Sequence, residues 1–255
     1  MKKFCFTVDD NIRFLRELTD SDAVSLFDHP YTALLRQLHE QYGLKVQLNL
    51  FYQTAGFDLS RMSDRFRAEW AENASWLRLS FHSRMENENP YLNAGYDEVY
   101  ADCASVQAEI LRFAGRENLG RTTTIHYCQV TPEGLQALRD LGVQGLLGLY
   151  GRDDAPGSSY SLAAEDCARL RKGEILHRNG LAFHALELVM NNYDQDGLLR
   201  KLQQLSCRDR LHVMIHEQYF YPDYPAYQPD FAEKLDAAFR FLQDSGYESC
   251  FAEAL

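Results

Sequence analysis

Two adjacent carboxylates, Asp9 and Asp10, follow a short run of alternating apolar residues near the N-terminus. This run predicts a first β-strand with both acids at its exit. Neighbouring carboxylates that are shielded from water repel each other, and a bound cation is the usual compensation. One carboxylate could then bind a metal while the other moves protons. The same pair also suits a helix start, where acidic side chains cap free N–H groups, so the spacing alone leaves both interpretations open.

Three of the eight histidines stand at the exits of predicted strands, namely His82, His126 and His216. Taken singly, each of them suits a hydrogen-bonded residue at the end of a strand. Together with the aspartate pair they favour a metal site, since imidazole nitrogen and carboxylate oxygen suit Zn²⁺ and related divalent ions. Such an ion acidifies water and polarises a carbonyl group, as hydrolysis of an ester or amide requires. We therefore predict a divalent metal cofactor, with Zn²⁺ as the preferred ion.

The elements that must position these residues alternate between short apolar runs and longer runs of helical period. Strands are predicted at 3–8, 46–51, 76–81, 122–127, 145–149, 181–189 and 211–215. Helices are predicted at 31–42, 61–71, 96–113, 131–141, 194–205 and 230–245. The alternation is typical of an α/β protein with parallel strands. We expect one domain over residues 1–255, closed or nearly closed into a barrel. Residues 151–172 are expected to form an excursion, a segment outside the barrel. The carboxyl ends of parallel strands share one rim, so the polar strand exits should converge there.

Composition narrows the choice of partners and compartment. The net charge is −11, and we find no cluster of basic residues, so nucleic acid is not an expected partner. No apolar run approaches the length of a membrane span or of a signal-peptide core, which predicts a cytoplasmic protein. Six cysteines without a C-x-x-C pair argue against a disulfide framework. Cys128 could be a nucleophile but is better explained as a small buried residue. An oligomer remains possible.

Three short segments resemble motifs of the polysaccharide deacetylase (NodB-homology, carbohydrate esterase) superfamily. Residues 6–11, Phe-Thr-Val-Asp-Asp-Asn, resemble its T-F-D-D-G motif, and residues 81–83, Phe-His-Ser, resemble the start of H-[ST]-x-x-H. Residues 213–217, Val-Met-Ile-His-Glu, are similar to its late L-x-x-H strand. The motifs occur in the order of the family, and the resemblance spans nearly the whole chain.

The resemblance implies a deformed (β/α)7-type barrel and metal-dependent removal of an acyl group, typically acetyl, from an amino sugar. It assigns Asp9 as the catalytic base, Asp10 and His82 as metal ligands, and His216 as the catalytic acid. Asp9 would take a proton from a metal-bound water that attacks the carbonyl carbon, while His216 protonates the leaving amine.

The chain departs from the family motifs at three places. Asn11 stands in place of the motif glycine, which is tolerable because Asn also adopts turn conformations. Glu86 stands where the second motif histidine is expected, and it is either a substitute ligand or a solvated residue. The R-x-P-x-G motif is missing, and His126 occupies that strand exit. His126 is our preferred third ligand, although it could instead take the place of the arginine that orients Asp9.

Substrate contacts are predicted at two further places on the same rim. Glu187 and Asn191 lie at the exit of the sixth predicted strand, although the segment there also suits a simple turn. Tyr219 and Tyr221 belong to an aromatic loop after His216, and aromatic faces stack on sugar rings. The same loop could instead only cover the barrel mouth or form an oligomer contact. Glu217 could support His216 or a neighbouring loop, and the sequence does not decide which.

We therefore predict a metal-dependent hydrolase of deacetylase type, acting on a small-molecule or oligosaccharide substrate. One alternative is a non-catalytic carbohydrate-binding descendant of the same fold, suggested by the altered motifs and the tyrosine-rich loop. Another is a metal hydrolase of a different C–N bond, since a fold does not fix the substrate.

Overall fold

Strands and helices alternate along most of the chain, as the periodicity predicts. The computed structural model describes residues 2–86, 91–151 and 159–255. The strands in these ranges are β1 (Lys2–Asn11), β2 (Val46–Phe51), β3 (Gln53–Thr54), β4 (Phe57–Asp58), β5 (Leu77–Ser83), β6 (Thr122–Thr123), β7 (Gly145–Gly148), β8 (Leu176–Arg178), β9 (Leu181–Ala185), β10 (Leu188–Val189), β11 (Arg210–His216) and β12 (Tyr247–Ser249). The helices are α1 (Arg13–Asp20), α2 (Pro30–Tyr42), α3 (Arg67–Asn73), α4 (Tyr96–Phe113), α5 (Pro132–Asp140), α6 (Ala164–Arg171), α7 (Gln195–Leu205) and α8 (Phe231–Asp244).

The strands that carry the candidate site belong to two neighbouring sheets. The larger sheet has the order β10-β11-β1-β2-β5, with β12 also paired to β1, and its strand pairs are parallel. The second has the order β6-β7-β9-β8, in which β8 and β9 are antiparallel. A parallel bridge between Leu79 and Leu119 and a hydrogen bond from Ser80 to the Thr122 carbonyl join the sheets on one side. Strands β3 and β4 form a separate antiparallel pair. The predicted α/β barrel-type class is confirmed, although the other described strands form two sheets rather than one closed ring.

The helix boundaries follow from local chemistry at their ends. The Thr131 hydroxyl accepts the N–H of Gly134, and Pro132 is the first residue of α5, where a missing N–H costs nothing. Helix α2 ends at Gly43, whose φ of 63° is left-handed and suits a residue without a side chain. Both helices were predicted from these residues.

Three predicted elements differ in the structure. The strand predicted at 122–127 ends at Thr123, and His126–Cys128 form a short 3-10 turn in which Tyr127 and Cys128 are left-handed. The strand predicted at 181–189 is divided into β9 and β10, which belong to different sheets. The helix predicted at 61–71 begins only at Arg67. Within the excursion predicted at 151–172, residues 152–158 lie outside the described residues, and the remainder includes α6.

Two further sequence predictions concern the membrane and the thiols. None of the helices within the described ranges is both long and apolar enough to cross a bilayer. All six cysteines lie among the described residues and are free thiols.

An aromatic cluster fixes the strand that carries the aspartate pair. The ring of Phe239 on α8 lies 5.9 Å from that of Phe4 and 4.9 Å from that of Phe6, measured between centroids. All three side chains are buried. Burial of large apolar side chains at native packing density holds β1 against its covering helix.

Truncating the central ring of this cluster should destabilise the protein. We expect Phe239→Ala to lower the free energy of unfolding by about 3–5 kcal/mol, since it removes buried area and leaves a cavity. Urea denaturation measures the change, and Phe241→Ala, at a half-buried position of the same helix, is the control. Equal losses for the two variants would show that Phe239 has no special role.

Candidate metal centre

The end of β1 carries both aspartates, and an irregularity in its pairing separates their environments. Asp9 lies beside His216 in the register of β1 with β11. The pairing of β1 with β2 shifts between Val8 and Asn11, and Asp10, inside the shift, has a left-handed φ of 62°. Aspartate tolerates this conformation better than most residues, and such backbone strain tends to occur at functional sites.

Asn11 acts through its side chain rather than through a turn conformation. The left-handed residue is Asp10 and not Asn11, so Asn11 is accommodated in place of the motif glycine without a turn conformation. The Asn11 amide donates to the carbonyl oxygens of Val8 (2.6 Å) and Asn49 (3.2 Å). Its own oxygen accepts the Tyr31 hydroxyl at 2.8 Å. These bonds tie the irregular end of β1 to β2.

Three side chains from different strand ends converge on one point. Asp10 Oδ1 lies 3.0 Å from His82 Nε2 and 3.5 Å from His126 Nδ1. The two imidazole nitrogens are 3.1 Å apart. Ligands that bind zinc at about 2.0–2.2 Å lie about 3–3.5 Å from one another. All three residues are buried, and together they form a group able to hold one metal ion.

The partners of these side chains suit metal binding. His82 donates Nδ1–H to the Thr124 carbonyl, which leaves Nε2, 3.0 Å from Asp10 Oδ1, as the ring nitrogen that a metal ion would bind. Gln218 donates to Asp10 Oδ2 at 2.7 Å and so fixes the other carboxylate oxygen. Outer hydrogen bonds of this kind orient metal ligands and set the histidine tautomer. The residues present therefore fit a divalent cation.

Electrostatics at Asp10 favour the ionised carboxylate. Burial by itself would raise the pKa of Asp10, but His216, His126 and His82 outweigh burial and hold that pKa well below its usual value. Burial lowers the pKa of His126, and the nearby carboxylates only partly offset this effect. A neutral His126 beside an ionised Asp10 is the protonation state that a metal ion requires.

Glu86 lines the same cavity but lies outside the group of three donors found among the described residues. Its side chain is half-buried, and burial together with the charge of Asp10 raises its pKa. The geometry thus favours His126 over Glu86 as the third ligand.

Asp9 is held by neutral residues of β2. Asn49 donates to Asp9 Oδ1 at 2.6 Å, and Gln47 donates to Asn49 Oδ1 at 2.9 Å. Asn49, and not His126, is therefore the residue hydrogen-bonded to Asp9, while His126 lies with Asp10 and His82. Burial raises the pKa of Asp9, and His82, His216 and Asn49 offset only part of that effect. The two amides stand at alternate positions of an otherwise apolar strand, which was an available sequence signal.

His216 is oriented by an amide as well. Its Nδ1 donates to Asn191 Oδ1 at 2.8 Å, and its Nε2 lies 4.0 Å from Asp10 Oδ2. Asn191, predicted as a substrate contact, lines the cavity but is engaged with His216. The imidazole therefore presents Nε2 to the cavity.

The predicted substrate residues are divided between the cavity and its surroundings. Tyr219 lines the cavity, and its ring centroid lies 6.0 Å from that of His216 and 5.1 Å from that of Tyr224. Tyr221 is not among the lining residues, because its hydroxyl donates to buried Glu217 at 2.7 Å. Only Tyr219 of the two predicted tyrosines is thus available to a ligand here.

Glu187 does not reach this cavity. It precedes β10 and accepts the backbone N–H of His212 at 2.7 Å and the guanidinium of Arg208 at 3.0 Å. The apolar pattern predicts one strand over residues 181–189, with Glu187 near its exit, whereas the structure has two strands there. Division of that strand moves Glu187 to the amino-terminal side of β10.

Glu217 links the end of β11 to the start of helix α1. Its buried carboxylate accepts the backbone N–H groups of Ile12 (2.7 Å), Arg13 (3.0 Å) and Phe14 (2.7 Å). Helix α1 has no side-chain cap of its own, so Glu217 caps it from a distance. The alternative in which the aspartate pair caps a helix is therefore not what the structure has.

Cys128 lines the cavity but lacks the features of a nucleophile. Burial raises the pKa of its thiol to about 11, so the thiolate is scarce at neutral pH. The structure supports the interpretation of Cys128 as a small buried residue.

Removing the carboxylate of Glu217 should loosen the link between β1 and β11. We expect Glu217→Ala to lower the free energy of unfolding by about 3 kcal/mol or more, because it leaves buried N–H groups without acceptors. Chemical denaturation provides the measurement, and Glu233→Ala, at an exposed position of α8, is the control. A loss no greater than that of the control would contradict the capping role.

The group of three donors should bind one divalent ion per chain. We expect Zn²⁺ to bind with unit stoichiometry in a calorimetric titration, and both Asp10→Ala and His82→Ala to weaken binding at least 100-fold, since each removes a ligand rather than an outer partner. Glu86→Gln should leave the affinity nearly unchanged. A loss with Glu86→Gln as large as that with Asp10→Ala would make Glu86 a ligand.

Comparisons with known proteins agree with this geometry at the level of the fold. No family model and no curated protein sequence matches the chain. Among solved structures, a family 4 acetyl xylan esterase from Clostridium thermocellum, in complex with a cobalt ion, matches with a TM-score of 0.57 and 14% identity over 99% of this chain and 89% of that chain. The Bc1960 peptidoglycan N-acetylglucosamine deacetylase matches with a TM-score of 0.58 and 11% identity over 99% of this chain and 86% of that one.

A third solved structure is described as a pseudoenzyme. BA3943 from Bacillus anthracis, a CE4 family pseudoenzyme, matches with a TM-score of 0.57 and 11% identity over 100% of this chain and 65% of that chain. The resemblance seen in the sequence motifs is thus confirmed for the fold: this chain has the fold of the CE4 polysaccharide deacetylases.

Proposed function

We propose that this protein is a metal-dependent hydrolase that removes an acyl group from the nitrogen of an amino sugar. The observation that carries the proposal is the convergence of Asp10, His82 and His126 on one point, with Asp9 and His216 side by side next to it. The fold shared with CE4 deacetylases supports the same reaction class.

The ion would be held by Asp10, His82 and His126. A divalent cation bound there would supply a Lewis acid that acidifies water and stabilises negative charge on the substrate carbonyl oxygen. Two imidazoles and one carboxylate suit Zn²⁺, which we propose as the ion.

Asp9 and His216 would carry the proton transfers. Asp9, held by Asn49, accepts a proton from the water that attacks the amide carbon. His216 presents Nε2 to the cavity and gives a proton to the departing amine, while Asn191 keeps the ring oriented through Nδ1. Base and acid from adjacent strands can act on the same bond without large movement.

The cavity supports a saccharide as substrate. Its volume is about 520 Å³, which exceeds the needs of an acyl group alone. Tyr219 and Tyr224 form an aromatic wall beside His216, where a sugar ring can stack. We propose a small-molecule or oligosaccharide substrate, and the free thiols are compatible with a reducing, cytoplasmic setting.

A second candidate function is carbohydrate binding without catalysis. The side chains that orient the proposed base and acid are the neutral amides of Asn49 and Asn191, which stabilise charge less than ionised partners do. One structural neighbour is described as a pseudoenzyme. Hydrolysis of a different C–N bond is a further alternative that the same residues permit.

Removing the proposed base should separate these functions. We expect Asp9→Asn to lower kcat for release of the acyl group from N-acylglucosamines at least 100-fold, because general base catalysis is lost, while Zn²⁺ binding persists. Asp97→Asn, at an exposed position of α4, is the control.

Three outcomes of that assay would contradict the proposal. Unchanged hydrolysis in Asp9→Asn would exclude Asp9 as the base. Sugar binding without hydrolysis by the zinc-loaded native chain would favour the non-catalytic function. Hydrolysis of linear or cyclic amides in preference to acylated sugars would indicate another C–N substrate.

A further inference from the structure

We propose that Cys5 and Cys250 are a redox-active pair, which hydrogen peroxide converts into a reversible disulfide that locks residues 247–255 across one end of the barrel. The two sulfur atoms lie 3.6 Å apart, close enough for one thiol to donate a hydrogen bond to the other. The pair lies at the end of the barrel away from the candidate metal centre. This inference therefore does not depend on the proposed hydrolase function.

Backbone pairing holds the two cysteines at a separation that a disulfide can span. Strand β12 pairs with β1 in parallel, with Ser249 beside Phe4. The Cys250 N–H donates to the Phe4 carbonyl at 2.9 Å, so Cys5 and Cys250 take the next positions of the same register. Neighbouring strands lie about 4.7–4.9 Å apart, and disulfides join Cα atoms that are about 4.4–6.8 Å apart. Rotation of the side chains can therefore bring the sulfur atoms to bonding distance.

The pair belongs to a small apolar cluster on the inner face of β1. Cys5 and Cys250 pack with Leu147 and Ala252, apart from the main hydrophobic core. Residues at intervals of two on a strand face the same side, so Cys5 shares a face of β1 with Asp9 and lies four residues nearer the start of the strand. A disulfide here would join the inner face of the barrel to the segment that covers it.

The two thiols differ in reactivity, as stepwise oxidation requires. The side chain of Cys250 is 8% exposed, whereas that of Cys5 is 2% exposed. The hydrogen bond with Cys5 and the charges of Lys3 and Lys45 outweigh burial and lower the pKa of Cys250. Burial and the same hydrogen bond raise the pKa of Cys5 well above its usual value. Cys250 is therefore the thiol that ionises first and meets a small oxidant, since the thiolate is the nucleophile.

The redox step balances with hydrogen peroxide as the oxidant. The Cys250 thiolate attacks one peroxide oxygen and breaks the O–O bond, which gives a sulfenic acid and a hydroxide that is protonated to water. The Cys5 sulfur then attacks the sulfenic sulfur, loses its proton, and releases the sulfenic oxygen as a second water. Two electrons pass from the sulfur atoms to the peroxide. An added thiol reverses the step by exchange.

The disulfide would fasten a segment that links the two sheets at the starts of their strands. We call residues 247–255 the closing segment. Its Glu253 accepts the Arg121 N–H at 3.1 Å and forms an ion pair with Arg78 at 3.6 Å. Lys3 donates to the carbonyl of Ala254 at 2.7 Å. Lys3 and Arg78 belong to the larger sheet, whereas Arg121 directly precedes β6 of the second sheet.

The polar contacts of the closing segment are too weak to fasten it firmly. Strand β12 has three residues, and the ion pair between Arg78 and Glu253 is partly exposed to water, where such pairs contribute little. A covalent bond between positions 5 and 250 closes a loop that contains almost the whole chain. Such a loop restricts the unfolded state strongly, so oxidation should stabilise the fold.

Peptide mapping of the full chain after treatment with hydrogen peroxide tests the proposal. We expect the peptides that contain Cys5 and Cys250 to be cross-linked, two of the six free thiols to be lost, and dithiothreitol to restore both. In urea denaturation, the oxidised chain should have a ratio of unfolded to folded molecules about 100-fold lower than the reduced chain.

Variants of single cysteines identify the source of the effect. Cys250→Ala should abolish both the cross-link and the stabilisation by peroxide. Cys207→Ala, which removes the exposed thiol, is the control and should keep both. Cys5→Ala tests the pair from the other side where Cys250→Ala does not fold, and the mapping of the native chain requires no variant.

Several outcomes would overturn the inference. Six unchanged thiols, a cross-link through Cys207 instead of the pair, or a sulfinic acid on Cys250 without a cross-link would exclude the redox-active pair. A disulfide between Cys5 and Cys250 that leaves the urea midpoint unchanged would exclude the locking of the closing segment. None of these results depends on whether the chain hydrolyses acylated sugars.

Discussion

The buried carboxylate of Asp10 is the constraint on which the site depends. An ionised group removed from water is costly unless hydrogen bonds or opposite charge compensate it. Here the two imidazoles lie within 3.5 Å of one oxygen, and Gln218 donates to the other. The left-handed backbone at Asp10 is tolerated because bonds of Asn11 and Glu217 hold the segment on both sides. These contacts bring together strand ends that are far apart in the sequence.

The residues that converge could be predicted from sequence because they all stand at exits of parallel strands. Asp9, Asp10, His82, His126 and His216 line one cavity, although nothing in the sequence measures the distances between them. The periodicity that predicts parallel strands also predicts a common rim, and side-chain type then limits the chemistry. This inference works without knowledge of how the barrel is closed.

The positioning residues could not be predicted in the same way. Asn49 is 40 positions from Asp9, and Gln218 is 208 positions from Asp10. Such pairs depend on register and on the neighbour of each strand, which single-sequence patterns do not contain. Glu217 shows the limit most clearly, because a glutamate after His216 gives no indication that it caps a helix near the N-terminus. Among these positioning residues, only the buried amides of β2 could be recognised in the sequence, as polar residues in an otherwise apolar strand.

The division of one predicted strand into β9 and β10 accounts for both the position of Glu187 and the gap between the sheets. Continuous pairing from 181 to 189 would have placed Glu187 near the rim and closed the barrel wall. Division into β9 and β10 instead directs the Glu187 carboxylate to His212 and Arg208. The same division leaves the gap that Leu186 fills. Apolar side chains at this gap keep water away from the polar centre. They make one side of the cavity apolar. The division of the strand into β9 and β10 thus determines which side of the polar site is apolar.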